Sequence, residues 1–422
     1  MTHAKGPWQT TMKILCVTDK KPLPLDTGGR ARFHNLLVAL RDLGSVDLLV
    51  CRRLKPAEKA SIGEALGVSR IGSEYPRRIR WLRGRLRWLL HRDLPSNIAC
   101  KDLAKLHRFF RRWAADHYDL AWFYGAPSYL AVRDLVHAPC VVDFADLEDV
   151  VRDRQLAVLD RARWQERLRL RLDRSRWARL QRRIAREAKC VVVCSEHDRE
   201  RLGDPRVRVI ANGYEPPERP LGRLEVGDPP TLLFPGTMKY APNADGARHF
   251  VNEIPPRIHQ RLPDARLRIV GRANAEVDAL ASNPGVTVTG PVPHIEDELA
   301  RADAIVVPLR AGSGTRIKLL EAFAHRIPTV STTIGSEGLD VENGRELLLA
   351  DAPQEFADAC VRLLTDVELR AAVVKAAQEK YRTRHRWPYI RSRFADLVRD
   401  LDAVTADSPH QEAAGRSDRP SR

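Results

Sequence analysis

The residues best equipped for chemistry stand in one run, Pro308-Leu309-Arg310-Ala311-Gly312-Ser313-Gly314-Thr315-Arg316-Ile317-Lys318-Leu319-Leu320-Glu321-Ala322-Phe323. It follows a buried apolar stretch and opens a helical one. Small residues at Gly312, Ser313, Gly314 and Thr315 let the backbone come close to an anion. The first turn of a helix adds unpaired N–H groups and the positive end of a dipole. Arg316 and Lys318 bring full positive charge to the same place. Glu321, three residues after Lys318, shares its helix face. With a phosphate at Lys318, a ribose one turn further along meets the carboxylate of Glu321. That layout reads a nucleoside diphosphate. The plainer alternative is an exposed basic loop with a Lys–Glu salt bridge. An acidic pair, Asp143 and Asp146, follows the apolar run Cys140-Val141-Val142. These carboxylates suit proton removal, and they suit equally the capping of the next helix.

These groups need elements to hold them. Lys13 to Asp19 reads as an opening buried strand, followed by a loop rich in Pro and Gly that ends in Gly28-Gly29. Apolar residues at helical spacing come next (Phe33, Leu36, Leu37, Leu40), then Gly44 and a second strand to Cys51. Further short strands are expected at 120–124, 140–144, 190–194 and 207–210. A Pro-rich stretch from Pro216 to Pro230 reads as a linker. A second alternation follows, with strands near 232–235, 267–270, 286–289, 304–308, 329–332 and 346–350. Two consecutive strand–helix arrays imply an α/β chain of two doubly wound Rossmann-like domains with a cleft between them, and such sheets bind ligands at their carboxyl edges. The expected division is 1–215 and 216–385, with a polar, disordered tail over 403–422.

Composition narrows the classes. The 422 residues are 43% hydrophobic and 30% charged, a globular balance. No run of about 18 apolar residues occurs, and the apolar stretch Ile14 to Val17 is too short for an export signal, so the expected location is the cytoplasm. Seven scattered cysteines fit reduced thiols. Cys190, Cys194 and His197 are better read as a buried strand than as a metal site, and neither a metal nor a resident cofactor is expected. The net charge is +16 and unevenly spread. Thr231 to Asp400 holds 23 basic and 22 acidic residues, whereas Tyr75 to Ala115 holds 12 and 2, and Val151 to Cys190 holds 14 and 5. Arg77 to Arg92 interleaves arginines with Trp81, Leu82, Leu86, Trp88 and Leu89. Such helices suit an anionic membrane at the inner face, with Trp81 and Trp88 at headgroup level. They also suit a solvated helix whose apolar stripe packs inward. No aromatic single-strand platform or zinc module speaks for nucleic acid.

The run ending in Leu320-Glu321-Ala322 resembles the donor-site signature of glycosyltransferase family 4, also called group 1, whose fold is GT-B. Other stretches agree in order: Gly28-Gly29 with Arg32 resembles a Gly-rich loop beside the diphosphate. Val209-Ile210-Ala211-Asn212-Gly213 resembles the step before the linker. Pro235-Gly236-Thr237-Met238 and Lys239 resemble the first loop of the second domain, Val270-Gly271-Arg272 a strand end beside the base, and Val288-Thr289-Gly290-Pro291-Val292 the loop over the base. The chain departs from the usual pattern in three places. Ser313 stands where the family often has an acid, Lys239 lacks a basic neighbour, and no His follows Phe144. The resemblance implies transfer of a sugar from a nucleotide-sugar donor to a sugar or lipid-linked acceptor with retention, in cell-surface polysaccharide or glycolipid assembly. It assigns donor contact to Gly28, Gly29, Gly236, Thr237, Lys239, Gly271, Arg272, Val292, Arg310, Gly312, Ser313, Gly314, Thr315, Arg316, Lys318 and Glu321. Arg316 and Lys318 would stabilise the leaving group, with Asp143 and Asp146 toward the acceptor. It also implies a last helix, 386–402, that crosses back to the first domain. A sugar-nucleotide epimerase or a non-catalytic binding protein on the same fold would share these features.

Overall fold

The computed structural model of the chain describes residues 12–25, 28–159, 162–215, 217–223, 225–311 and 316–406. Fifteen strands form three sheets among the described residues. In the first domain they are β1 (Met12–Thr18), β2 (Gly44–Val50), β3 (Arg70–Ser73), the short ribbon β4 (Arg77–Arg78) and β5 (Lys101–Asp102), then β6 (Leu120–Tyr124), β7 (Cys140–Phe144), β8 (Cys190–Val193) and β9 (Val207–Val209). The second domain holds β10 (Thr231–Pro235), β11 (Arg266–Val270), β12 (Val286–Gly290), β13 (Ala304–Val307), β14 (Thr329–Ser331) and β15 (Leu348–Leu349).

The large sheets run β3-β2-β1-β6-β7-β8-β9 and β12-β11-β10-β13-β14-β15. All their pairings are parallel. The strands are continuous apolar runs because helices cover both faces: Ile14 to Val17, Ala121 to Phe123 and Ile305 to Val307 are fully buried. Each sheet reverses its winding beside its first strand, between β1 and β6 and between β10 and β13. At such switch points the loops at the carboxyl ends diverge and leave a crevice. The loops after β1, β7, β10, β11, β12 and β13 carry most of the residues singled out from the sequence.

The helix Trp387–Ala406 does not continue the second domain. Trp387, Ile390, Phe394, Leu397 and Val398 join the core formed with Ile14, Leu36 and Trp122 of the first. Phe394 meets the Trp122 ring edge-on at 5.8 Å. The Pro-rich stretch read as a linker is fastened down rather than loose. Arg223, Gly227 and Thr231 all bond the buried carboxylate of Asp303, and Gly222 N–H donates to His325 O at 2.7 Å.

Candidate functional site

Two helix starts face each other across the domain boundary. The first-domain helix Gly28–Arg41 opens at a glycine, and a Cβ there would stand 2.4 Å from Cγ1 of Ile317, the first residue of the second-domain helix Ile317–His325. Only hydrogen fits at Gly28. At Gly29 a Cβ would stand 3.4 Å from the Tyr124 hydroxyl, which donates to Gly29 O at 2.7 Å. The helix Ile317–His325 has no side chain bonded at its N-cap, Arg316. Two positive dipole ends thus converge at one place, and at the start of Ile317–His325 no side-chain cap bonds the amide donors.

Cations gather around this gap. Lys318 Nζ donates to Asn243 Oδ1 at 3.2 Å and sits 4.5 Å over the Phe234 ring. Burial, with Arg316 beside it, pushes the ammonium down to about 7. Arg316 is 7% exposed, and burial followed by the nearby charge of Arg154 lowers its pKa. Arg154, from the first-domain helix Glu148–Val158, pairs with Glu337 of the second domain, and His197 lies 3.5 Å from the same carboxylate. Asp146 stands on the loop after β7, open to solvent at the rim of the gap. Crowding by protein raises its pKa, against the pull of Lys20, Arg316, Arg32 and Arg154.

The second-domain loops lock together behind Lys318. Gly236 has φ +146°, and a Cβ there would meet Asn243 Nδ2 at 3.0 Å and Lys318 Nζ at 3.1 Å. At Gly271 a Cβ would lie 2.1 Å from Gly236 O, so the two glycines let the loops touch backbone to backbone. Met238 N–H donates to Arg272 O, and Asn243 Nδ2 to Thr237 O, at 2.8 and 2.9 Å. The side chains of Thr237, Lys239 and Arg272 are left exposed on the rim, while Val292 packs partly buried against the second core. Glu321 accepts a hydrogen bond from the Tyr214 hydroxyl at 3.0 Å, and burial raises its carboxyl to about 7. Lys318 and Glu321 therefore turn to different partners, and the Lys–Glu salt bridge of the plainer alternative is not among the described ion pairs.

Three sequence expectations need correction. Asp143 is 0% exposed and holds Arg32 through contacts of 3.1–3.2 Å; burial raises its pKa against the pull of that guanidinium. No acceptor reaches a fully enclosed carboxylate, so Asp143 is a structural anchor. Arg32 is equally buried and also bonds Ile210 O and Asn212 Oδ1, tying β7 to the exit of β9 instead of facing a diphosphate. Arg310 turns its fork to Asp245, at 3.0 and 2.6 Å. Gly312, Ser313, Gly314 and Thr315 lie outside the described residues. Arg154, Glu337 and Tyr214 were not singled out as site residues, because each comes to the gap from a distant element with no local pattern to mark it. Among the described residues no group of three or more His, Cys, Asp or Glu could hold a metal ion.

Comparison with known proteins gives the layout a family. Residues 27–213 match the glycosyl transferase 4-like domain, and residues 229–366 match the glycosyl transferases group 1 family. An uncharacterized 44.6 kDa protein in the cps region of Klebsiella pneumoniae is 27% identical over 135 residues, 30% of this chain and 35% of that protein. An exopolysaccharide phosphotransferase of Streptomyces coelicolor is 28% identical over 225 residues, 51% of this chain and 23% of that one. The chain thus spans well under half the length of these two curated relatives. The crystal structure of Anabaena HepE in complex with UDP and glucose superposes with a TM-score of 0.62 at 16% identity, covering 92% of this chain and 100% of that one. At that identity the likeness speaks to the fold, two-domain GT-B.

Proposed function

We propose that the chain, whose first domain matches the glycosyl transferase 4-like domain and whose second matches the glycosyl transferases group 1 family, moves a sugar from a nucleoside-diphosphate donor to an acceptor hydroxyl, with retention, in polysaccharide or glycolipid assembly. The observation that carries this reading is the meeting of two helix starts with Arg316 and Lys318, and Glu321 one turn beyond.

In this reading the diphosphate lies between Gly28 and Ile317, the ribose hydroxyls bond Glu321 in place of Tyr214, and the base rests near Gly271, Arg272 and Val292. The bond from the anomeric carbon to the phosphate oxygen breaks while the acceptor oxygen attacks on the same face. The acceptor proton passes to the departing phosphate oxygen. The protein's part is to offset the charge growing on that oxygen with Lys318, Arg316 and the helix amides, all fixed before the reaction. Asp146 at the rim meets the acceptor. The curated relatives named for a cps region and for exopolysaccharide, though matched over part of their length, support the pathway class.

The test is calorimetry with UDP, GDP and ADP, with UDP first because the Anabaena complex contains it. One nucleotide should bind, and Lys318→Ala should weaken it by about 1.5–3 kcal/mol, the loss of a charge-assisted hydrogen bond. Unchanged affinity removes the assignment. Turnover of the matching nucleotide sugar should need an acceptor extract, since turnover without one points to an epimerase.

A further inference from the structure

The helix Trp81–Leu90 is built inside out. Leu82, Leu86, Leu89 and Leu90 are 57–72% exposed, and they supply four of the thirteen exposed large hydrophobics among the described residues. Their spacing of i, i+4, i+7 and i+8 puts them on one face. The opposite face does the packing. A Cβ at Gly84 would touch Cys100 at 3.6 Å, Trp88 Nε1 donates to Asp173 at 3.0 Å, and the Trp88 ring lies 4.3 Å from the Arg176 guanidinium. The helix is clamped to the long helix Trp164–Glu187 by further bonds from Arg176 to Leu94 O and from Arg179 to Asp93 and Arg92 O. The leucines cannot turn inward without breaking that clamp. Trp88 faces inward, contrary to the sequence reading, and the side chain of Trp81 lies outside the described residues.

Charge says what covers the leucines. At 100° per residue Arg85 flanks the apolar face on one side, and Arg83 and Arg87 flank it on the other. The helix has no acidic residue, and Arg77, Arg78 and Arg80 are exposed just before it. An apolar stripe edged by guanidiniums on both sides complements a sheet of phosphates over acyl chains, with the arginine stems lying along the apolar boundary. We propose that the helix Trp81–Leu90 lies in the surface of an anionic membrane, its four leucines at the acyl boundary and its arginines on lipid phosphates. The first domain then rests on the bilayer, and no described helix is long and apolar enough to cross it. The surface stands on its own geometry and does not depend on the transferase reading.

The experiment is flotation of the whole protein with vesicles of phosphatidylglycerol and phosphatidylcholine, or of phosphatidylcholine alone. The protein should float with the anionic vesicles at low salt, release at high salt, and ignore the neutral ones. Arg80→Ser with Arg83→Ser should weaken binding by roughly twenty-fivefold, about fivefold for each charge. Leu86→Ser with Leu89→Ser should abolish binding even at low salt. Both pairs are exposed, so thermal melting should match the parent. Failure of the parent protein to bind anionic vesicles overturns the proposal, and so does undiminished binding by the leucine pair. A dimer that the leucine pair dissociates would make a second copy the occupant, and RNA binding that survives the leucine pair would make it nucleic acid; either overturns it. Both variants should still bind the nucleotide diphosphate as the parent does, and Lys318→Ala should still float. Failure of this proposal and failure of the transferase reading therefore leave different marks.

Discussion

Lys318 is held down to about 7 by burial, so near neutral pH the free protein carries it only partly charged, while a bound diphosphate demands the charged form. Binding above pH 7 must therefore take up a proton, and affinity should fall by about tenfold per pH unit between roughly pH 8 and 10. Calorimetry in buffers of different ionisation enthalpy measures that uptake directly, and none at pH 8.5 would mean that the lysine is already charged. The same shift acts on stability. The folded pKa lies below the ordinary 10.5, so the cost of the buried charge is complete below pH 7 and gone above about 10.5. Lys318→Met should raise Tm at neutral pH while removing nucleotide binding. The two aspartates should separate in the opposite sense. Asp143→Ala leaves Arg32 charged and enclosed, and should cost about 3–5 kcal/mol in urea unfolding. Asp146→Asn should leave unfolding unchanged and lower the transfer rate.

At the level of elements, the facing helix starts depend on Gly28. Adding a methyl there drives a carbon to 2.4 Å from the Ile317 side chain, so Gly28→Ala should weaken nucleotide binding with little effect on Tm. Ile317→Ala in the same protein should restore much of it, and a double-mutant cycle measures the coupling. The strands that made this geometry were legible as short apolar runs: β6 and β7 fall on the residues read from the sequence, and most others within a residue or two. β3 was not, because Arg-Ile-Gly-Ser has neither alternation nor an apolar run. Gly28, Gly236 and Lys318 stood out because loop-to-helix steps leave local marks. The Arg32–Asp143 anchor and the capture of Arg310 by Asp245 left none, and the leucines between Arg77 and Arg92 left their direction open. Each depends on which distant element arrives opposite, and a heptad of leucines and arginines reads the same whichever face is buried.

For the molecule as a whole, the Arg154–Glu337 pair and His197 beside it hold the two domains together at the cleft. Glu337→Gln should loosen that closure, raising the radius of gyration of the unliganded protein in small-angle scattering, and saturating nucleotide should reverse the change. The chain passes between the domains twice, and the passages lie side by side. Tyr214 N–H donates to His385 O at 2.8 Å, His385 Nδ1 lies 3.1 Å from Asn212 O, and Trp387 stacks where Gly213 leaves room. The doubled passage also sets the order in which the protein can be completed during its synthesis. The first domain leaves the ribosome without Trp387, Ile390 and Phe394, and at ordinary elongation rates it waits about 10–40 s for them. During that interval the face of its sheet around Trp122 is uncovered, while the second domain, continuous in sequence, folds before it. The amino-terminal half should therefore complete its core last, and a chain truncated before Trp387 should bind a hydrophobic dye that the full chain does not.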